Sequence, residues 1–125
     1  MIVGIGSDIA RIERFARAIE RHGPRFALRI LGPEEHAVWQ QKAQPAAFLA
    51  KRFAAKEAFV KALGLGLRRG LQWRDIQVLN DHLGKPHLHL QEAAADQAAA
   101  AGVTAMHVTL SDEADYAVAF VVLEK

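Results

Sequence analysis

The sequence predicts an α+β fold in which an antiparallel sheet packs against one long central helix. Three observations lead to it. The hydrophobic patterns run strand, several helices, hairpin, helix, hairpin along the chain. Both hairpins close through short turn-forming stretches, which pair their strands antiparallel. The longest helical pattern, Ala46 to Leu63, carries apolar or small residues over most of its surface, as a helix covered on several sides must.

Each element has a local cause. The opening MIVGIGSDI is an apolar run ending in Gly-Ser-Asp, which reads as a buried strand running into a helix cap at Asp8. From Ile9 to His22 the spacing is helical, with Ile12, Phe15, Ala16 and Ile19 on one side and Arg14, Arg17 and Arg21 on the other. Gly23-Pro24 ends that helix, and Arg25 to Ile30 forms a short turn before the Gly32-Pro33 break. Glu34-Glu35 then starts a short helix carrying Trp39, because early carboxylates favour a helix N-terminus. Pro45 opens the central helix and Gly64 caps it. Asp75 to Asn80 and His87 to Leu90 alternate as strands joined through Asn80-Asp81 and Gly84-Lys85-Pro86. Gln91 to Ala101 is alanine-rich and helical, and Met106 to Ser111 and Tyr116 to Leu123 read as strands around a turn at Ser111 to Asp115.

Composition narrows the function classes. At 125 residues, with no internal repeat or linker, residues 1–125 are expected to form one domain. No run approaches the ~18 apolar residues of a membrane span, and the N-terminus lacks the basic and long apolar regions of a signal peptide, so a cytoplasmic protein without a membrane role is expected. With no cysteine there is no disulfide framework, thiolate metal site or cysteine nucleophile. A net charge of +2 and the lack of an aromatic-rich RNA-binding motif argue against a nucleic-acid partner.

Candidate chemistry concentrates on the central helix. There Lys56 projects into the apolar stripe of Leu49, Phe53, Val60 and Leu63, while Glu57 and Lys61, four residues apart, lie along its edge. A buried charge needs a partner or a ligand, whereas an i,i+4 Glu-Lys pair is also an ordinary surface ion pair; periodicity leaves both open. Asp8 is likewise either a helix N-cap or a second carboxylate converging on Glu57. Two carboxylates make a magnesium site once phosphate oxygens and waters complete the shell, which would imply a phosphorylated substrate. The loop Gly64 to Gly70, with Gly66, Arg68 and Arg69, could meet phosphate with backbone N–H and guanidinium groups, though C-capping followed by a turn explains its glycines too. The arginine stripe, continued by Arg25, is available to an anionic partner or is a solvated face partly neutralised by Glu13 and Glu20. His87 and His89 share a strand face, but without cysteine or a third ligand at a telling spacing they do not make a zinc site.

Four segments carry a resemblance that spans the chain: GIGSDI at Gly4 to Ile9, RFAAKEAFVKALGLG at Arg52 to Gly66, GKP at Gly84 to Pro86, and HVTLSDEADYAVAFVVLE at His107 to Glu124. They resemble the small bacterial holo-acyl-carrier-protein synthase family of phosphopantetheinyl transferases. The resemblance implies the 4'-phosphopantetheinyl transferase-like fold and transfer of phosphopantetheine from coenzyme A to a serine of apo acyl carrier protein, releasing adenosine 3',5'-bisphosphate, in fatty acid biosynthesis. It implies magnesium held by Asp8 and Glu57, with Glu57 also helping to deprotonate the acceptor serine, and a phosphate-contacting Lys61. Arg52, Gly64, Gly66, Lys85 and Pro86 match positions that contact the nucleotide, and Arg14, Arg21 and Arg25 match the helix that receives the acidic carrier protein. It further implies a homotrimer with active sites between subunits. One departure is Asp112, where many relatives have a histidine; an aspartate cannot donate to a nucleotide phosphate as a protonated histidine could. Two rivals use the same features. A non-catalytic binding module explains the arginines but not the Lys-Glu-Lys cluster, and a magnesium-dependent nucleotide hydrolase would use the carboxylates without a carrier.

Overall fold

Alternation in the last strand explains how the sheet meets the helix. Along Tyr116–Glu124 the residues Ala117, Ala119, Val121 and Leu123 are buried, while Tyr116, Val118 and Phe120 face outward. Two of the four inward residues are alanines, so the backbone of this strand can lie close to what covers it.

The computed structural model describes residues 1–64, 66 and 70–125; Leu65, Leu67, Arg68 and Arg69, on which the arginines of the phosphate-loop expectation fall, lie outside the described residues. The elements in order are β1 (Ile2–Arg11), α1 (Ile12–His22), α2 (Arg25–Leu28), α3 (Pro33–Trp39), α4 (Pro45–Leu63), β2 (Ile76–Asn80), β3 (Pro86–Leu90), α5 (Glu92–Ala100), β4 (Ala105–Glu113) and β5 (Tyr116–Glu124), with a single 3-10 turn at Trp73–Asp75. The antiparallel sheet comes in two pieces, a three-stranded sheet in the order β1-β5-β4 and a separate β2-β3 hairpin. The three-stranded sheet packs against α4, as expected for an α+β chain built on a long central helix. No helix among the described residues is long and apolar enough to cross a membrane.

On β1 the row that faces α4 includes Gly4, Gly6 and Asp8. A Cβ at Gly4 would lie 2.0 Å from the carbonyl oxygen of Ala62, and one at Gly6 would lie 1.9 Å from that of Ala58. Only glycine permits so close an approach. It seats β1 directly on the last two turns of α4, which ends at Gly64 in the left-handed conformation with φ 81°.

Two boundaries differ from the expectation. Asp8 does not cap a helix: β1 continues three residues beyond it because β5 supplies partners as far as Arg11 opposite Tyr116, so Asp8 sits in mid-strand opposite Ala119. The helix begins at Ile12 instead of Ile9, with no side-chain cap at Arg11. The final turn is tighter than Ser111 to Asp115, since β4 and β5 pair out to Glu113 opposite Tyr116 and leave Ala114 at φ 51° to make the reversal.

Lys56 is fully buried and fully bonded. Its Nζ donates to Glu35 Oε1 at 2.6 Å and to the carbonyl oxygens of Trp73 at 3.0 Å and Ile76 at 2.6 Å. Glu35, read from sequence only as a helix-starting carboxylate, also accepts from the Gly32 and Val78 amides at 2.9 and 2.8 Å. One ion pair thereby ties α3, α4, the 3-10 turn and β2 together. Burial lowers the Lys56 pKa from 10.5 to about 8, against the opposing pull of the Glu35 carboxylate.

Replacing Lys56 by Met leaves Glu35 buried without its counter-charge, and chemical denaturation at pH 7 should show a loss of about 3–5 kcal/mol. Because the folded state releases the Lys56 proton near pH 8 and the unfolded state near 10.5, the unfolded chain binds more protons between those values. The stability of the natural chain relative to Lys56→Met should therefore rise with pH across that window. A gap that narrows would contradict the burial account.

Candidate active site

Two of the residues singled out from sequence, Asp8 and Lys61, meet at the seam between β1 and α4. Lys61 Nζ donates to Asp8 Oδ1 and to the Ser7 carbonyl oxygen, both at 3.0 Å. Glu57 lies one helical turn before Lys61 on α4. The two do not form the surface pair that their spacing allows: Lys61 turns to β1, and Glu57 Oε1 accepts from Trp73 Nε1 at 3.0 Å. The Asp8 side chain is only 17% exposed and Lys61 is 55% exposed, so a carboxylate in a recess is already neutralised by a cation that has room to withdraw. Asp8 and Glu57 offer hard oxygen donors from two separate elements, and the ammonium at Asp8 marks a place where positive charge is accepted. That donor set suits magnesium completed by phosphate and water.

A second group forms around Arg52. This side chain is buried, its guanidinium carbon 4.1 Å from the ring centroid of Phe48, and its Nη2 donates to Asn80 Oδ1 at 3.3 Å. Among the described residues its Nε has no partner. Burial lowers its pKa, and the Glu35 carboxylate opposes that shift. The β2-β3 register sets Asn80 opposite Pro86, which brings the Gly84-Lys85-Pro86 turn beside the Arg52 group. Asp81 shapes that turn, its Oδ1 accepting from the Leu83 and Lys85 amides at 2.9 and 3.0 Å. Gly64 and Gly66 are both exposed with positive φ, 81° and 65°, at the C-terminal end of α4. Among the described residues no hydrogen bond or ion pair joins the Arg52 group to the Asp8 group.

The arginine stripe borders a surface groove of about 580 Å³ lined by Arg11, Glu13, Arg14, Arg17, Arg21 and His22 among others. Arg17 is tied to Glu13 at 2.7 Å, whereas Arg14 lies over the rings of Phe15 and Phe53 at 5.1 and 5.5 Å. Arg25 stands apart at the start of α2 and does not line the groove. Asp112 is 3.1 Å from Lys51 Nζ, an ion pair in which it serves as acceptor.

Trp73 is a site residue to which sequence reasoning gave no functional role. Its bond to Glu57 joins positions 16 residues apart, which no periodicity in the sequence links. Asn80 was likewise read only as a strand end running into a turn; its position opposite the proline of Gly84-Lys85-Pro86 was the available signal.

Residues 4–121 match the model of the 4'-phosphopantetheinyl transferase superfamily. Holo-acyl-carrier-protein synthases of Halorhodospira halophila and Yersinia enterocolitica are 53% and 51% identical to the chain over 123 residues, covering 98% of it and 98% of each relative. The chain therefore belongs to the 4'-phosphopantetheinyl transferase superfamily, among its holo-acyl-carrier-protein synthases. The crystal structure of the synthase from Neisseria meningitidis superposes with a TM-score of 0.93 at 44% identity, covering 100% of both chains. The Bacillus anthracis synthase in complex with coenzyme A (3',5'-ADP) gives 0.81 at 36% identity over 98% of this chain and 96% of that one.

Proposed function

We propose that Asp8, Glu57 and Lys61 form the site at which the phosphopantetheine arm of coenzyme A passes to a serine of apo acyl carrier protein. The observation that carries this is the seam itself, where Lys61, one turn along α4 from Glu57, bonds Asp8 of β1. The serine oxygen attacks the β-phosphorus of coenzyme A, the bond to the bridging oxygen breaks, and adenosine 3',5'-bisphosphate leaves with that oxygen. Asp8 and Glu57 would hold magnesium, which when bound supplies electrostatic stabilisation of the diphosphate oxygens. Glu57 takes up the serine proton, directly or through a water. Lys61 releases Asp8 and adds its positive charge to the transferred phosphate. Arg52, Gly64, Gly66, Lys85 and Pro86 form the nucleotide side, supported by the unpartnered Arg52 Nε among the described residues.

Arg14, Arg21 and Arg25 receive the acidic carrier. In the reading adopted, Glu57→Ala leaves the chain folded and abolishes transfer of labelled pantetheine, along with the magnesium-dependent protection that coenzyme A gives in a thermal melt. Arg14→Glu with Arg21→Glu has the complementary outcome: calorimetry at low salt should show weakened carrier binding with coenzyme A binding intact. Undiminished turnover in the first variant, or unchanged carrier affinity in the second, would remove the assigned role.

The active assembly in this reading is a homotrimer. Its support is the outer face of the three-stranded sheet, where Ile5, Ile9, Tyr116, Val118 and Phe120 are each 41–63% exposed and Ile9 pairs opposite Val118. Such a contiguous apolar face suits an interface with further copies of the chain. Sedimentation equilibrium should give three chain masses, and Ile9→Glu with Phe120→Glu should dissociate them and suppress transfer. A fully active monomer would exclude sites shared between subunits.

A further inference from the structure

We propose that Trp73 is the positioning residue for Glu57, its indole N–H holding Oε1 so that Oε2 is the oxygen presented to a divalent cation. The inference rests on the reading of Glu57 as a cation-binding carboxylate and names the group that sets its geometry. Glu57 and Lys61 have the spacing, with glutamate N-terminal to lysine, at which helical ion pairs form best. Such a pair would neutralise the carboxylate and draw the ammonium from Asp8. Trp73 Nε1 instead donates to Glu57 Oε1 at 3.0 Å, while Lys61 Nζ stays on Asp8 at the same distance.

The chemistry of the donor matters. Indole is a donor only and carries no charge, so it fixes a carboxylate without adding a cation that would compete with a metal. Among the described residues Oε2 of Glu57 accepts no hydrogen bond. Trp73 is itself held at two points by consecutive residues of α4, its carbonyl oxygen accepting from Lys56 Nζ at 3.0 Å and its indole bonding Glu57. Its ring also packs on Phe53, with centroids 5.3 Å apart and planes inclined by 53°. The buried lysine thus sets the reach of the indole, and the indole sets the carboxylate.

Trp73→Phe keeps an aromatic ring and removes the N–H. With coenzyme A present, Mn2+ binding followed by electron paramagnetic resonance should weaken about tenfold or more, and kcat should fall by a similar factor while KM for coenzyme A changes less than about twofold. A second measurement needs only Glu57 altered. The chain has two indoles, and the Trp39 indole donates to the Pro45 carbonyl oxygen instead. In proton–nitrogen spectra Glu57→Gln should shift the Trp73 indole resonance and leave that of Trp39 in place. Equal Mn2+ affinity and kcat in Trp73→Phe, or an unmoved Trp73 resonance in Glu57→Gln, would overturn the proposal. If Trp73→Phe does not fold, the indole resonance decides. A natural chain that takes up no Mn2+ with coenzyme A would instead refute the underlying reading of Glu57.

Discussion

The buried ammonium of Lys56 is the contact on which the placement of the site depends. A lysine in a helix interior is costly unless every donor is used, and here the three bonds to Glu35, Trp73 and Ile76 use all three. Its partners come from three other parts of the chain, so the pair fixes where the segment after α4 returns to the helix. That return sets the 3-10 turn beside Glu57 and starts β2 in the register that carries Asn80 to Arg52. A hydrophobic pair of similar volume could fill the space, but it could not specify which carbonyl meets which turn of α4.

The second constraint is steric. Gly4 and Gly6 let β1 lie against the carbonyls of Ala62 and Ala58, and the next residue in that row is Asp8. A larger residue at either position would lift the strand off the helix and carry Asp8 away from Lys61. The Gly-x-Gly-x-Asp opening thus seats β1 on α4 and brings Asp8 to Lys61 in one motif. It also frees the outer face of the same strand, where Ile5 and Ile9 remain exposed in the isolated chain.

Much of this was legible in the sequence, for physical reasons that differ by residue. The central helix was evident because its apolar positions, Pro45 and Gly64 all agree, and the hairpins because alternation and turn residues coincide. Asp8 was placed at a helix cap because Gly-Ser-Asp has the local chemistry of one; pairing with β5, a partner more than a hundred residues away, overrode that preference. Glu57 and Lys61 were readable as a pair by spacing, yet each bonds a residue distant in sequence, and spacing within one helix carries no information about either. Lys56 was recognisable as needing a partner, but nothing local identified Glu35, whose position at a helix start suggested a simpler role.

In the proposed function the β1–α4 seam serves a magnesium-dependent transfer to a carrier protein. Mass spectrometry of apo acyl carrier protein incubated with the chain, coenzyme A and magnesium tests it most directly. The expected result is a mass gain of one phosphopantetheine group on the carrier, lost when magnesium is chelated. A carrier that stays unmodified, or that is modified equally without the metal, would contradict it.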